Sequence, residues 1–163
     1  MMKLKHFLRL LLATSLFAGS TPLIAETMVL NEAEGNGRIL TITSPDELHL
    51  DPATVVIAVD AFGDEDREIN GVLFQSDKTD VDTVGLVERD GVRVDLESTH
   101  FIDGWAAAPG FTGGQGDSAE NLSFVMEDIR WSAAPSPLTM NISGLSGNAL
   151  YEIQILVNEG GDR

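Results

Sequence analysis

The chain has 163 residues, with 10 basic against 26 acidic side chains and no cysteine. Without cysteine it cannot be a disulfide scaffold, a cysteine-ligated zinc or iron–sulfur protein, a thiol enzyme or a protein lipidated on an N-terminal cysteine. A net charge of −16 disfavours nucleic acid and anionic lipid surfaces, which need clustered Lys and Arg, and a hydrophobic fraction of 43% disfavours disorder.

The first 25 residues read as a cleavable export leader. Lys3, Lys5 and Arg9 form a basic start, and Leu10 to Ala18 is nearly unbroken in apolar or small residues. Gly19-Ser20-Thr21-Pro22 then interrupts, and Leu23-Ile24-Ala25 supplies the small-residue cleavage site. The apolar run falls short of the ~20 residues needed to cross a bilayer, and no later run is long enough, so no transmembrane segment is expected after cleavage. Cutting after Ala25 takes 25 of 163 residues and leaves 138, from Glu26 to Arg163, enough for one domain. The leader holds three basic residues and no acidic ones. The mature part therefore has 7 basic against 26 acidic residues, a net −19. The expected location is secreted or periplasmic.

In the mature part, Arg38-Ile39-Leu40-Thr41-Ile42-Thr43 is a β-branched run of strand length. Ser44-Pro45-Asp46-Glu47-Leu48 suits a short helical turn, with Ser44 as cap and Pro45 at the first helical position, although Leu48-His49-Leu50 also fits a strand. Val55 to Val59 reads as a buried strand. Asn70-Gly71 and Asp90-Gly91 are turn dipeptides that tolerate positive φ, and the second predicts a hairpin between Val84–Arg89 and Val92–Leu96. Gly104 to Gly116 reads as a long glycine-rich loop. Asp117-Ser118-Ala119-Glu120 fits a capping box, and Leu122, Val125, Met126 and Ile129 predict one helix over Asn121–Trp131. Leu138–Ser143 and Ala149–Asn158 alternate as strands, with Tyr151, Ile153, Ile155 and Val157 on one face.

Many short strands, frequent turn signals and one helix predict a mainly β domain, an antiparallel β-sandwich or jelly roll. Gly160-Gly161 reads as a hairpin turn with no return strand, so the expectation includes a domain incomplete at its C-terminus.

The segments Val55–Val59 and Ile69–Phe74, Ile142-Ser143-Gly144-Leu145, and Tyr151–Val157 before Asp162-Arg163 resemble the secreted β-sandwich modules of planctomycete-type bacteria. Those modules are similar to malectin-like and galactose-binding-like jelly rolls. The resemblance covers roughly residues 53 to 163 and departs from the pattern at Arg163, where such modules continue. It implies a sugar-binding or adhesive fold with no defined ligand and no transferable catalytic set.

Candidate sites are sparse. Asp60, Asp64, Glu65 and Asp66, and separately Asp77, Asp80 and Asp82, are candidate calcium ligands, since calcium takes several carboxylate oxygens on a flexible loop. A solvated acidic loop is the favoured reading of both clusters in so acidic a chain. Apart from calcium no cofactor is expected. His49 and His100 lie far apart with no third ligand, and no Gly-x-Ser-x-Gly nucleophile turn occurs. Among aromatics able to stack on a sugar ring, Trp105 and Phe111 in the glycine-rich loop rank ahead of Trp131 and Tyr151, which read as core. The leading expectation is thus an exported, non-enzymatic module for carbohydrate binding or adhesion, with glycans or envelope proteins as partners. The alternatives are a structural or protein-interaction module of the cell envelope and a fragment of a secreted hydrolase.

Overall fold

The computed structural model describes residues 10–14, as backbone, together with 41–104, 110–147 and 149–156. Trp105, the Ala25/Glu26 junction, Arg38 to Leu40, Val157, Asn158 and the Gly160-Gly161 turn lie outside the described residues.

The fold is mainly β. Its strands are β1 (Leu10–Thr14), β2 (Val55–Asp60), β3 (Arg67–Ile69), β4 (Val72–Ser76), β5 (Val84–Arg89), β6 (Val92–Glu97), β7 (His100–Ile102), β8 (Ile129–Trp131), β9 (Thr139–Ser143) and β10 (Tyr151–Ile155). Among the described residues one 3₁₀ turn, Pro45–Leu48, and one α-helix, α1 (Ser118–Val125), complete it. The strands form a five-stranded sheet in the order β10-β1-β2-β4-β3, a three-stranded sheet β5-β6-β9 and a two-stranded ribbon β7-β8. Every named pairing is antiparallel except β2 with β4, which run parallel, so the expectation of wholly antiparallel sheets is corrected at that pair.

β2 explains the layering. Ile57, Ala58 and Val59 have no exposed surface. Ile57 and Val59 join a core with Val87, Val92, Val94, Leu96, Met140 and Ile142 from the three-stranded sheet. Ala58 belongs instead to a second core with Phe74, Ile69, Leu48 and the α1 residues Leu122 and Val125. A strand buried on both faces needs apolar residues at successive positions, which is why this segment does not alternate. β10 behaves similarly: Tyr151, Ile153 and Ile155 pack on the first core as their alternation predicts, and Leu156 on the second.

Both turn dipeptides perform as expected. Asn70 and Gly71 have φ of 48° and 79°, joining β3 to β4, and Asp90 and Gly91 have φ of 51° and 82°, joining β5 to β6. Gly144, at the end of β9, has φ 84°, and a Cβ there would lie 1.9 Å from the Gly91 carbonyl oxygen. A Cβ on Gly91 itself meets nothing within 4 Å. Gly91→Ala should therefore cost only left-handed backbone strain, roughly 1–2 kcal/mol. Gly144→Ala adds a backbone clash to strain of about 1–3 kcal/mol and should lower the urea midpoint further. Equal midpoints for the two variants would contradict this packing.

The Ser44 cap is realised: its hydroxyl accepts from the Asp46 amide, and Glu47 reaches back to the Ser44 amide. His49 leaves the turn with φ 51°, so Leu48–Leu50 is not a strand. Thr41 to Thr43, the described end of the first predicted strand, are also not in a strand, and Ile42 packs on the second core.

The helix needs the largest correction. It begins at Ser118 and ends at Val125, and Ile129–Trp131 is the strand β8. The Asp117 side chain makes no capping bond. Ser118 instead accepts the Asn70 amide at 2.8 Å and donates to the Gln115 carbonyl. Leu122, Val125 and Met126 do share the predicted buried face. Beyond them Asp128 accepts the Gly104 amide at 2.8 Å, and Ile129 to Trp131 pair with β7. The i, i+3, i+4, i+7 spacing placed Ile129 on the helix face, but its burial comes from a strand.

Candidate functional site

The most constrained chemistry lies where β2 and β4 end and side chains of the β7–β8 ribbon meet the residues that follow them. Arg130, in the middle of β8, and Asp77, just after β4, are both fully buried. Arg130 Nε donates to Asp77 Oδ2 at 2.6 Å and Nη2 to Oδ1 at 3.0 Å, a two-pronged ion pair. Nη1 also donates to the Asp82 carbonyl and Nη2, at 3.1 Å, to the Val84 carbonyl. Asp77 Oδ1 also accepts the Phe62 amide at 2.6 Å. This one fork therefore joins the β2–β3 loop, the β4–β5 connection and β8.

Aromatic and cationic groups extend the network outward. Phe62, at φ 68°, stacks on Phe101 with ring centroids 4.3 Å apart. The Arg130 guanidinium lies 5.1 Å and the Lys78 ammonium 4.5 Å from the Phe62 ring centre, within cation–π range. Lys78 pairs with Asp64 and, at 3.6 Å, with Asp103. The Asp64 hydrogen bond is the main reason the Lys78 ammonium stays protonated above its ordinary range.

The structure disperses the candidate calcium ligands. Asp60 is buried with its carboxylate against Gly63, where a Cβ would lie 2.3 Å from Oδ2. Exposed Asp64 turns to Lys78, and Asp66 accepts the Ser76 amide at 2.9 Å. In the second cluster Asp77 joins Arg130, while Asp80 and Asp82 are exposed. Among the described residues no group of three or more His, Asp or Glu side chains is placed to hold a metal. Chelator should therefore leave the melting midpoint unchanged; a drop of several degrees in EDTA would show that a cation is bound.

The aromatic candidates separate in the same way. Phe111 is half-buried and packs on the second core. Tyr151 packs on the first core, and its hydroxyl accepts the Ser146 amide at 2.7 Å. Trp131 is on a strand, not at a helix end. It pairs across the ribbon with His100, the rings stacking 4.2 Å apart at 21°. Trp131 is half-buried and His100 exposed, with His100 Nδ1 2.7 Å from Thr99 Oγ1. Phe101, the next residue, is 38% exposed. The ribbon thus presents two stacked rings, His100 and Trp131, on one face, while Phe101 lies on the other face with Arg130, against Phe62. Sequence reasoning missed it because the pairing of 100–102 with 129–131 joins segments nearly 30 residues apart. The only local hint was the adjacent pair His100-Phe101.

None of the protein-family models, curated proteins or solved structures compared with this chain matches it. Among the described residues no helix is long and apolar enough to cross a membrane.

Proposed function

We propose that this chain is an exported, non-enzymatic β-sandwich module that binds carbohydrate through the β7–β8 ribbon. The three-stranded sheet and the strands β2, β3, β4 and β10, meeting across the first core through β2 and β10, would be the two leaves of the sandwich, the fifth strand, β1, belonging to the leader. The observation that carries the reading is the His100–Trp131 stack, with His100 exposed and Trp131 half-buried. Flat rings offer a large apolar contact at little conformational cost, and His100 and Thr99 supply polar atoms at the rim. The platform is rigid, because Arg130, between the stacking residue Trp131 and Ile129, is locked into the buried fork. Export rests on the leader reading of residues 1–25 and agrees with the acidic, cysteine-free composition.

The test is a glycan array followed by calorimetry on the best hit. Binding should weaken at least tenfold in His100→Ala and in Trp131→Ala, with far-UV circular dichroism unchanged. Absence of binding to any glycan, or binding indifferent to both substitutions, overturns the reading and favours an envelope interaction module.

A further inference from the structure

We propose that the position between β2 and β10 is a strand-acceptor slot. The leader's own Leu10–Thr14 fills it before export, and cleavage opens it to an extended apolar segment of a partner polypeptide. This rests on the reading of residues 1–25 as an export leader. The same five residues carry two roles: they open the apolar run of the leader and they form β1.

The register defines the slot. β1 runs antiparallel to β10, from Leu10 opposite Ile155 to Thr14 opposite Tyr151. It also runs antiparallel to β2, with Leu11 opposite Ala58 and Ala13 opposite Val55. In the sheet order, β10 is joined to β2 only through β1. Removing β1 leaves two facing rows of backbone donors and acceptors about two strand spacings apart, roughly 10 Å. Such rows recruit another strand.

The gap cannot close cheaply. β10 would have to shift by about one strand spacing, near 5 Å, and pair parallel with β2. Its side chains hold it where it is. Tyr151, Ile153 and Ile155 are seated on one core and Leu156 on the other. Gln154 Nε2 donates to the Leu48 carbonyl at 3.2 Å, and the Tyr151 hydroxyl is tied to Ser146. These contacts also set the occupant's chemistry. Ile57, Val59, Ile153 and Ile155 line one face of the flanking strands, and Val55, Ala58 and Leu156 the other. A segment entering between them is apolar on both faces, five residues long and antiparallel to both neighbours.

Hydrogen exchange on the full chain tests the slot. Leu12→Pro removes a backbone donor from the middle of β1. Exchange at β2 and β10 amides should speed up at least tenfold while β5 and β6 stay protected, showing that the rest is folded. The full chain is then cleaved after Ala25 and separated from the leader, and a labelled peptide spanning Arg9 to Ser15 is added. The peptide should bind the cleaved protein and restore β10 protection, and should bind the uncleaved chain at least tenfold more weakly. If the cleaved protein loses structure, recovery of its circular dichroism on adding the peptide supports the slot, and no recovery overturns it. Unchanged protection in Leu12→Pro overturns it, as does a cleaved protein whose β10 stays protected without peptide, by its own residues or a second copy. N-terminal sequencing of the exported protein checks the leader separately: a start other than Glu26 refutes that reading, whatever the exchange of Leu12→Pro shows.

Discussion

Asp77→Ala should cost about 3–5 kcal/mol, because it leaves the Arg130 guanidinium buried without its counter-charge. Arg130→Met should cost a similar amount by stranding the Asp77 carboxylate. A domain of this size has a total stability of about 5–15 kcal/mol, so either change removes a large share of it. The double variant Asp77→Leu, Arg130→Met should be more stable than either single one, since no charge is left buried. It should remain below the parent protein, because the Phe62 amide and the Asp82 and Val84 carbonyls each lose a partner that the fork supplies. Urea denaturation of the four proteins checks this. Single variants close to the parent in midpoint, or a double variant worse than both, would show that the fork does not hold these segments together. The effect should also persist in 1 M salt, which screens exposed pairs but not one excluded from solvent.

Gly85→Ala should be almost as damaging, by one methyl group. A Cβ on Gly85 would lie 1.9 Å from Asp77 Oδ2 and 2.8 Å from Arg130 Nε. Glycine lets the β5 backbone lie directly against the ion pair, so alanine forces carboxylate and guanidinium apart or pushes β5 away from β6. A loss of about 2–4 kcal/mol is expected, set by the cost of breaking a buried charged contact. The discriminating measurement is a double-mutant cycle. With Asp77→Ala already in place the clashing carboxylate is gone, and Gly85→Ala should cost well under half as much. Additive losses would mean that Gly85 matters through its backbone alone and not through the space it leaves.

The parts of the fold legible in the sequence are those set by near neighbours in the chain. Asn70-Gly71 and Asp90-Gly91 announce their turns because few other residues accept positive φ at both positions. Val92, Val94 and Leu96 announce a strand with one buried face, and all three are buried in the first core. Ser44 with Pro45 announces a capped helical turn. Illegible were the elements whose conformation depends on distant partners. Ile129-Arg130-Trp131 continues a helical spacing, yet it becomes a strand because β7 offers backbone partners and Asp77 offers a buried counter-charge. Asp77 sits among acidic neighbours and reads as a loop carboxylate, and nothing nearby in sequence marks it as the one that is buried. The aromatic patch is hidden for the same reason, since His100 and Trp131 meet only through that ribbon.

The sequence by itself determined the acidic, cysteine-free composition, the mainly β character and the positions of both tight turns, because composition and local φ preferences act within a few residues. Only the tertiary structure decided that β2 pairs parallel with β4, that Arg130 is buried against Asp77, and that Leu10–Thr14 lies between β2 and β10. Each of these pairs residues at least 16 positions apart in the chain. Their outcome depends on which backbone edges and buried charges find partners once the whole chain has collapsed.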